Sequence, residues 1–219
     1  MNLVGKLIPN VRVFGVVLIA LSALTACIEV DEKESEGANS YSSGLAPYHV
    51  STTNGTGYFI PETDENVIVG FGCTSVRVYD EYANQVDIDL EGIFQANGGT
   101  KYTYVFNDFF RDYSGAVGIL YYKSANYNLS SLPLNKEITT PYVTANIYKL
   151  EITEDKFFVI SSSNAHFFVF DSNLNKIADN TLLGDYRVGE SLTLNQGIYY
   201  VVTAPKSCSS SGVIQFLEL

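Results

Sequence analysis

The sequence is poor in the residues on which the commonest catalytic and nucleic-acid-binding sites depend. It contains no Trp, one Met, two His and three Cys, and its 13 Lys and Arg stand against 24 Asp and Glu. An acidic protein repels phosphate backbones, so we do not expect a nucleic-acid partner. No His-x-x-x-His pair and no paired Cys spacing is present, so we do not expect a catalytic zinc ion either.

Long apolar runs are also missing, and the longest one lies near the N-terminus. Lys6 and Arg12 supply positive charge, and an almost unbroken apolar run follows from Val13 to Leu24. This run is shorter than the roughly 20 residues that span a bilayer. Residues 1–26 therefore have the parts of a secretory signal peptide and not those of a transmembrane helix.

The apolar run ends in Leu24-Thr25-Ala26-Cys27, which resembles the lipobox of bacterial lipoproteins. The resemblance implies cleavage before Cys27 and lipidation of its thiol, with palmitate among the acyl chains. Ile28 stands where an inner-membrane retention signal carries Asp, which by the same resemblance implies the outer membrane, on its periplasmic side or at the cell surface. Several acyl chains together hold a protein firmly, because each buried methylene contributes about 0.8 kcal/mol.

The segment after Cys27 is acidic and rich in Ser and Gly. It reads IEVDEKESEGANSYSSG and has too few large apolar residues to form a core, so we expect a disordered tether over residues 27–44. Without residues 1–26, 11 basic residues remain against 24 acidic ones, a net charge of 11 − 24 = −13. The chain has no polybasic patch for anionic lipid, so the membrane must be reached through the acyl chains.

The rest of the chain is predicted to be an internal repeat. Segments of the first part align with segments of the second at an offset of 91 residues, which becomes 97 after a six-residue shift. The aligned segments are Val67–Val69 with Phe158–Ile160, Val76–Asp80 with Phe167–Asp171, Asn84 and Val86 with Asn175 and Ile177, Tyr102 and Tyr104 with Tyr199 and Val201, and Ser114–Val117 with Ser211–Ile214.

Both copies have the pattern of β-strands. Tyr148, Leu150 and Ile152 alternate with polar residues, short continuous apolar runs occur at 157–160 and 167–170, and no window shows sustained helical periodicity. Turn residues separate the runs. The sequence therefore predicts an all-β protein with two tandem antiparallel jelly-roll-like β-sandwich domains, over residues 45–130 and 131–219.

The second copy resembles the bacterial pre-peptidase C-terminal domains. The matching features are a strand that ends in Phe170-Asp171 and the later segment LNQGIYYV, residues 194–201. Tyr79-Asp80 keeps the first feature in the first copy, and Gly99-Thr100-Lys101-Tyr102 keeps the second loosely. The resemblance implies a jelly-roll-like sandwich that is usually appended to secreted enzymes as an accessory or substrate-binding module. The two copies account for the sequence after the tether, so we do not expect an appended enzyme.

Two kinds of candidate site remain after lipidation of Cys27. Cys73 and Cys208 can form a disulfide in an exported compartment, or can stay as two buried thiols. Hard oxygen ligands at turns suit calcium, and Asp80, Asp87 and Asp89 are the candidates for such an ion, within an acidic cluster that also contains Glu81 and Glu91. A solvated acidic face is the alternative interpretation of this cluster.

The remaining candidates favour structural roles. Neither His49 nor His166 lies in a nucleophile–base–acid motif, and both are read as strand-end residues. Exposed aromatic residues could stack on sugar rings, but strand aromatics are more often core residues or cross-strand pairs. Both interpretations, sugar binding and packing, apply to the six tyrosines that lie close together in the sequence: Tyr102, Tyr104, Tyr113, Tyr121, Tyr122 and Tyr127.

We therefore expect a membrane-anchored, non-enzymatic lipoprotein that acts as a binding or structural module of the cell envelope, with a protein or an envelope polysaccharide as its partner. No cofactor is expected apart from the possible calcium ion. One alternative is an envelope inhibitor or immunity lipoprotein that neutralises a basic toxin or a lysozyme-like enzyme, since opposite charges favour such a complex. The other alternative is a carbohydrate-binding module.

Overall fold

The computed structural model describes residues 49–51, 56–71, 73–89, 92–108, 117–180 and 188–219. These residues belong to a single compact unit, Gly37–Leu219. The predicted signal peptide, Cys27 and the tether lie outside the described residues, so their assignments stay predictions. Within the described ranges, no helix is long and apolar enough to cross a membrane.

Nearly all of the regular secondary structure in the described residues is strand, and the all-β prediction is confirmed. A first set of strands runs from β1 to β7 and a second from β8 to β15. The bounds are β1 His49–Ser51, β2 Thr56–Phe59, β3 Glu65–Gly70, β4 Thr74–Tyr79, β5 Ile93–Ala96, β6 Tyr102–Asp108, β7 Val117–Tyr121, β8 Glu137–Thr140, β9 Asn146–Ile152, β10 Lys156–Ser163, β11 Ala165–Phe170, β12 Lys176–Asp179, β13 Val188–Leu194, β14 Gly197–Pro205 and β15 Gly212–Glu218.

The two sets form two antiparallel sandwiches with matching strand orders. In the first sandwich, sheet A has the order β1-β7-β3-β5 and sheet B the order β2-β6-β4. In the second, sheet C has the order β9-β14-β11-β12 and sheet D the order β8-β15-β10-β13. Sheet D repeats sheet A strand for strand, and sheet C repeats sheet B with one strand more. The predicted boundary between residues 130 and 131 falls between β7 and β8 and stays a prediction.

The strand registers support the internal repeat. Val78 pairs with Tyr104 as Val169 pairs with Val201, which reproduces the predicted offsets of 91 and 97. One segment was aligned wrongly. Val69 pairs with Leu120 as Ile160 pairs with Phe216, so β7 is shifted by one residue from the alignment of Val117 with Ile214. The chain is one residue longer from Tyr104 to Leu120 than from Val201 to Phe216, and such a slip exchanges the two faces of a strand.

Each sandwich has its own apolar core, and a third core joins the two sandwiches. The first core includes Val67, Val78 and Leu120 from sheets A and B, and the second includes Phe158 and Phe216. The third, which we call the shared core, contains side chains from the outer faces of sheets A and C together with two loop residues, Ala145 and Leu174. Its strand residues are Ile68, Ile93, Ile119, Tyr121, Ile147, Phe168, Phe170, Tyr200, Val202 and Ala204. The sheets therefore stack in the order B, A, C, D.

The shared core explains why β7 and β11 are apolar without alternation. Every residue of β7 is buried, and so are all residues of β11 except His166. Strands that are buried on both faces lose the alternation of apolar and polar residues that marks a half-exposed strand. The run at 167–170 thus belongs to an inner sheet of the stack, whereas the run at 157–160 lies in β10 of the outer sheet D, where Phe157 is exposed and Phe158 and Ile160 are buried.

A disulfide bond also connects the two sandwiches. Cys73 lies between β3 and β4, Cys208 lies between β14 and β15, and the structure joins their sulfur atoms with a Cα–Cα distance of 5.5 Å. This pair is the one that the sequence suggested. The bond links positions 135 residues apart, so it closes a long loop across the shared core.

Candidate functional site

A repeated aspartate turn follows β4 and β11, the equivalent strands of the two sandwiches. In the second turn, Asp171 Oδ1 accepts hydrogen bonds from the backbone nitrogens of Asn173 (2.7 Å) and Asn175 (2.9 Å), and its Oδ2 accepts one from Asn175 Nδ2 (3.0 Å). Asp80 has the same three bonds, from Tyr82 N (3.0 Å), Asn84 N (2.8 Å) and Asn84 Nδ2 (3.1 Å). The Asp-x-x-x-Asn pattern therefore specifies one turn twice.

The hydrogen bonds of the turn lower the pKa of both aspartates below 3.8. At Asp80 the largest contribution comes from the side chain of Asn84. At Asp171 partial burial raises the pKa, but the donors of Asn175 and Asn173 together outweigh this effect, with a further contribution from the charge of Lys123. Both carboxylates are thus held in the charged form by donors that favour it.

The second of these turns closes the junction between the sandwiches. Leu174, its fourth residue, is completely buried in the shared core. Asn66 of β3 donates from Nδ2 to Asn173 O (3.0 Å) and to Asn175 Oδ1 (3.2 Å). Asn66 of the first sandwich therefore donates hydrogen bonds to both the backbone and a side chain of a turn in the second sandwich.

A polar groove runs along this junction, and we call it the seam groove. It consists of two openings of about 470 and 460 Å³ that share Asn66 and Gln95. Openings of this size are in the range of small-ligand sites. The first opening is lined by Thr63, Asp64, Glu65, Asn66, Gln95, Lys123, Ser124 and Asn173, and the second by Asn66, Asp87, Asp89, Ile93, Phe94, Gln95, Leu174, Asn175 and Lys176.

Internal hydrogen bonds fix the walls of the seam groove. Glu65 Oε2 accepts from Lys123 N (2.6 Å) and Ser124 N (3.1 Å), which ties β3 to the short 3-10 turn at Lys123–Ala125. Asp64 Oδ1 accepts from Gly98 N (2.8 Å). These bonds use acidic side chains to hold loops in place, so the groove is formed before any ligand arrives.

The lining of the seam groove suits hydrogen bonding to a polar ligand. Carboxylates and the ammonium groups of Lys123 and Lys176 lie beside amide groups, so both donors and acceptors are present. The Gln95 side chain is exposed. Such a surface can bind the hydroxyl groups of a sugar or the peptide groups of a protein segment.

The structure does not bring the predicted calcium ligands together. In the described part of the chain, no three His, Cys, Asp or Glu side chains form a group that could hold a metal ion. Asp80 is occupied by its turn, and Asp89 Oδ1 accepts from Ile93 N (2.8 Å). Asp87 and Asp89 instead line the seam groove, while Asp80 does not. Glu91 lies outside the described residues.

The described tyrosines of the predicted sugar-binding group are packed in the interior. Tyr102 is buried and stacks on Phe59 at a centroid distance of 5.4 Å. Tyr121 lies in the shared core, and burial raises the pKa of Tyr127 to about 12. Tyr104 packs against the first core, and Tyr122 contacts Tyr127 edge to face. Tyr113 lies outside the described residues.

The histidines occupy strand positions. His49 opens β1, where it pairs with Ile119 across the sheet. His166 is the second residue of β11, and its ring lies 6.4 Å from that of Phe168.

No motif in the sequence indicated the amide residues of the seam groove, above all Asn66, Gln95 and Asn173. One signal could have found the second turn, because Asp171 and Asn175 repeat Asp80 and Asn84 at the 91-residue offset. No sequence signal brings Asn66 to that turn, since their contact depends on how the two sandwiches pack.

Fold and groove together define a class of protein, a pair of stacked antiparallel β-sandwiches with a polar groove at their junction. No family model matches the chain, and a comparison with curated proteins gives no match.

Proposed function

We propose that the chain is an exported lipoprotein, anchored through Cys27, whose two sandwiches act as one rigid, non-enzymatic binding module of the cell envelope. The lipobox-like sequence, the signal-like segment before it and the acidic tether after it support this location. A disulfide between the sandwiches is the kind of bond that persists in an oxidising compartment.

The seam groove carries the binding part of the proposal. Its walls come from both sandwiches, and the shared core and the disulfide fix these sandwiches to each other. A site lined by two rigid elements loses little conformational entropy when a ligand binds. The groove is lined mainly by hydrogen-bonding side chains, so we assign it a polar envelope component, either a protein segment or a polysaccharide.

The anchor is tested by substitution of Cys27. We expect the wild-type chain, expressed in a bacterium with an alkyne-labelled palmitate analogue, to carry the label and to sediment with membranes. The Cys27→Ser variant should lose the label and accumulate uncleaved, while Cys73→Ser should keep it. A labelled Cys27→Ser protein would contradict lipidation at this residue.

The groove is tested by blocking it. The full chain is used to capture components of an envelope extract, and Gln95→Trp should remove the captured component because the indole fills the junction of the two openings. Gln196→Trp, at an exposed glutamine that does not line the groove, is the matched control. Equal capture by both variants would place the binding surface elsewhere.

The charge favours a second candidate function, the neutralisation of a basic toxin or lysozyme-like enzyme. A net charge of −13 without residues 1–26 attracts a basic protein over a long range. Capture of a basic protein at low salt that is lost at high salt would support it. Capture of polysaccharide, or capture that does not depend on salt, would exclude it.

A further inference from the structure

The junction between the two sandwiches is built from faces that the chain carries twice. Sheet D is the counterpart of sheet A and sheet C that of sheet B, so we call sheets A and D A-type and sheets B and C B-type. The shared core lies between the outer face of an A-type sheet and the outer face of a B-type sheet. In the described part of the chain, the two end sheets of the stack are B and D. They present the same two kinds of face to the outside.

The outer face of sheet D has apolar residues at positions that sheet A uses in the shared core. Val159 pairs with Leu217 in sheet D as Ile68 pairs with Tyr121 in sheet A. Val159 and Leu217 alternate along their strands with buried residues of the second core and are partly exposed. Phe157 lies on the same face and is 41% exposed. This face therefore offers apolar surface to a partner.

The outer face of sheet B keeps part of the apolar pattern of sheet C. Val105 corresponds to Val202 and Tyr79 to Phe170, and both residues of sheet C belong to the shared core. The middle of the face differs, because the exposed Arg77 occupies a position that is aromatic in sheet C. A contact through this face buries less apolar area than the shared core does, so we expect it to be weaker and reversible.

The aspartate turn of the first sandwich has the geometry of the turn that closes the junction. The hydrogen bonds of Asp80 match those of Asp171. The fourth residues, Ala83 and Leu174, both have a left-handed backbone with a φ of 62°. The first turn is therefore shaped to dock on an A-type sheet as the second turn docks on sheet A.

The docking contact of the second turn has an aromatic counterpart at the two ends of the stack. In the junction, Asn66 Nδ2 donates to Asn173 O (3.0 Å). At the 91-residue offset, Phe157 takes the place of Asn66, and Tyr82 that of Asn173. Tyr82 is 77% exposed, so an aromatic side chain is available on each end. Stacked sheets lie about 10 Å apart, so these two side chains cannot meet within one chain.

We propose that the chain associates head to tail with further copies of itself, through the outer face of sheet D of one copy and the outer face of sheet B of the next. Phe157 of the first copy then packs against Tyr82 of the second, in the arrangement that Asn66 and Asn173 have inside each chain. A contact between two different faces joins copies into rings or open filaments. The proposal depends neither on the seam groove nor on the lipid anchor.

A second copy is a better occupant of these faces than an unrelated protein, because the chain itself carries both halves of the contact. The shared core already shows that an A-type face and a B-type face fit each other. The net charge of −11 opposes association at low ionic strength. We therefore expect association at about 0.15 M salt, where charge repulsion is screened beyond about 8 Å.

The experiment replaces Tyr82 with the photoreactive amino acid p-benzoylphenylalanine in the full chain. The protein is irradiated in mild detergent at about 0.15 M salt. The products are separated by denaturing gel electrophoresis and mapped by mass spectrometry. We expect a ladder of dimers and higher species, with cross-links from position 82 to the segment around Phe157. Because the two positions lie at opposite ends of one chain, such a cross-link joins two copies.

In the same photoreactive chain, Phe157→Glu should reduce the cross-linked fraction about tenfold, because a carboxylate loses its hydration at an apolar contact. Ile177→Glu adds the same charge at a residue that is 44% exposed on β12 of sheet C, inside the stack, and is the matched control. It should leave the cross-linked fraction unchanged. Cross-links between position 82 of two copies, equal fractions in the two variants, or no cross-linked species would each overturn the proposal.

Discussion

At the scale of single residues, the two aspartate turns show how one local pattern is used in two environments. The hydrogen bonds of Asp80 and Asp171 agree atom for atom. The surroundings differ, because the fourth residue of the first turn is Ala83 and that of the second is Leu174, which lies in the shared core. The same turn is therefore a surface loop in one copy and part of the junction in the other.

This difference predicts unequal effects of the same substitution. Asp171→Ala should lower the free energy of unfolding by about 1–2 kcal/mol. The turn loses the three hydrogen bonds of the carboxylate, and this loss also disturbs the backbone to which Asn66 donates. Asp80→Ala, the matched control, should lower it less, because its turn is exposed. Urea denaturation followed by circular dichroism measures both. An effect of Asp80→Ala equal to that of Asp171→Ala would contradict the role given to the junction.

The pKa shifts of the two aspartates predict loss of stability in acid. A carboxylate whose pKa is lower in the folded chain than its value of about 3.9 in the unfolded chain stabilises the fold above that pH. This contribution disappears as the pH falls through the folded-state pKa, which lies below 3.8 at both residues. The urea concentration at the unfolding midpoint should therefore decrease as the pH is lowered below about 4. It should decrease less steeply with pH in Asp171→Asn. If the midpoint of that variant decreased with pH as steeply as that of the wild type, Asp171 would be excluded as a source of the loss of stability in acid.

At the scale of strands and turns, the buried Asn180 ties the end of β12 to β10 and β11 through three hydrogen bonds, with Phe167 N, Ala165 O and Ser162 Oγ. Asn180→Ala should cost about 2–3 kcal/mol, since it leaves Phe167 N and Ala165 O without the partner they have in a buried site. Asn180→Asp should lower the stability at least as much, because a carboxylate cannot donate to Ala165 O, and it should increase hydrogen exchange at β12. Asn195→Ala, at an exposed asparagine, should change stability by less than about 0.5 kcal/mol. A stable Asn180→Asp variant with protected β12 amides would show that Asn180 does not hold this strand in place.

Strands were easier to predict from the sequence than the faces they bury. Alternation at Tyr148, Leu150 and Ile152 and the turn residues marked the strands, and the repeat gave the pairing of the two copies. The run at Phe167–Phe170 indicated burial but not its partner, because a run without alternation carries no information about which face meets which sheet. The shared core and the seam groove depend on that choice, so neither could be predicted.

At the scale of the whole molecule, the disulfide closes a loop of 135 residues between the sandwiches. Its removal in a Cys73→Ala, Cys208→Ala double variant should cost about 2–4 kcal/mol, since a cross-link over a long loop restricts the unfolded chain. We expect unfolding to stay a single transition by circular dichroism and tyrosine fluorescence, because the shared core still joins the sandwiches. Two separate transitions in the double variant would show that the disulfide, and not the shared core, makes the sandwiches cooperative.

The shared core also predicts how the second sandwich behaves alone. The outer face of sheet C presents Phe168 and Tyr200. The equivalent face of sheet B, against which no sheet of the described residues packs, carries Arg77 and Thr103 at the matching positions. Residues 131–219 expressed alone should therefore aggregate, because a large apolar face is exposed. Phe168→Arg with Tyr200→Thr should keep that fragment soluble by giving it the surface of its repeat. In the full chain the same two substitutions should lower the free energy of unfolding, because they bury a charge and remove aromatic packing at the junction. Size-exclusion chromatography and urea denaturation of the four proteins separate these outcomes, and a soluble, monomeric wild-type fragment would show that the second sandwich does not need its neighbour.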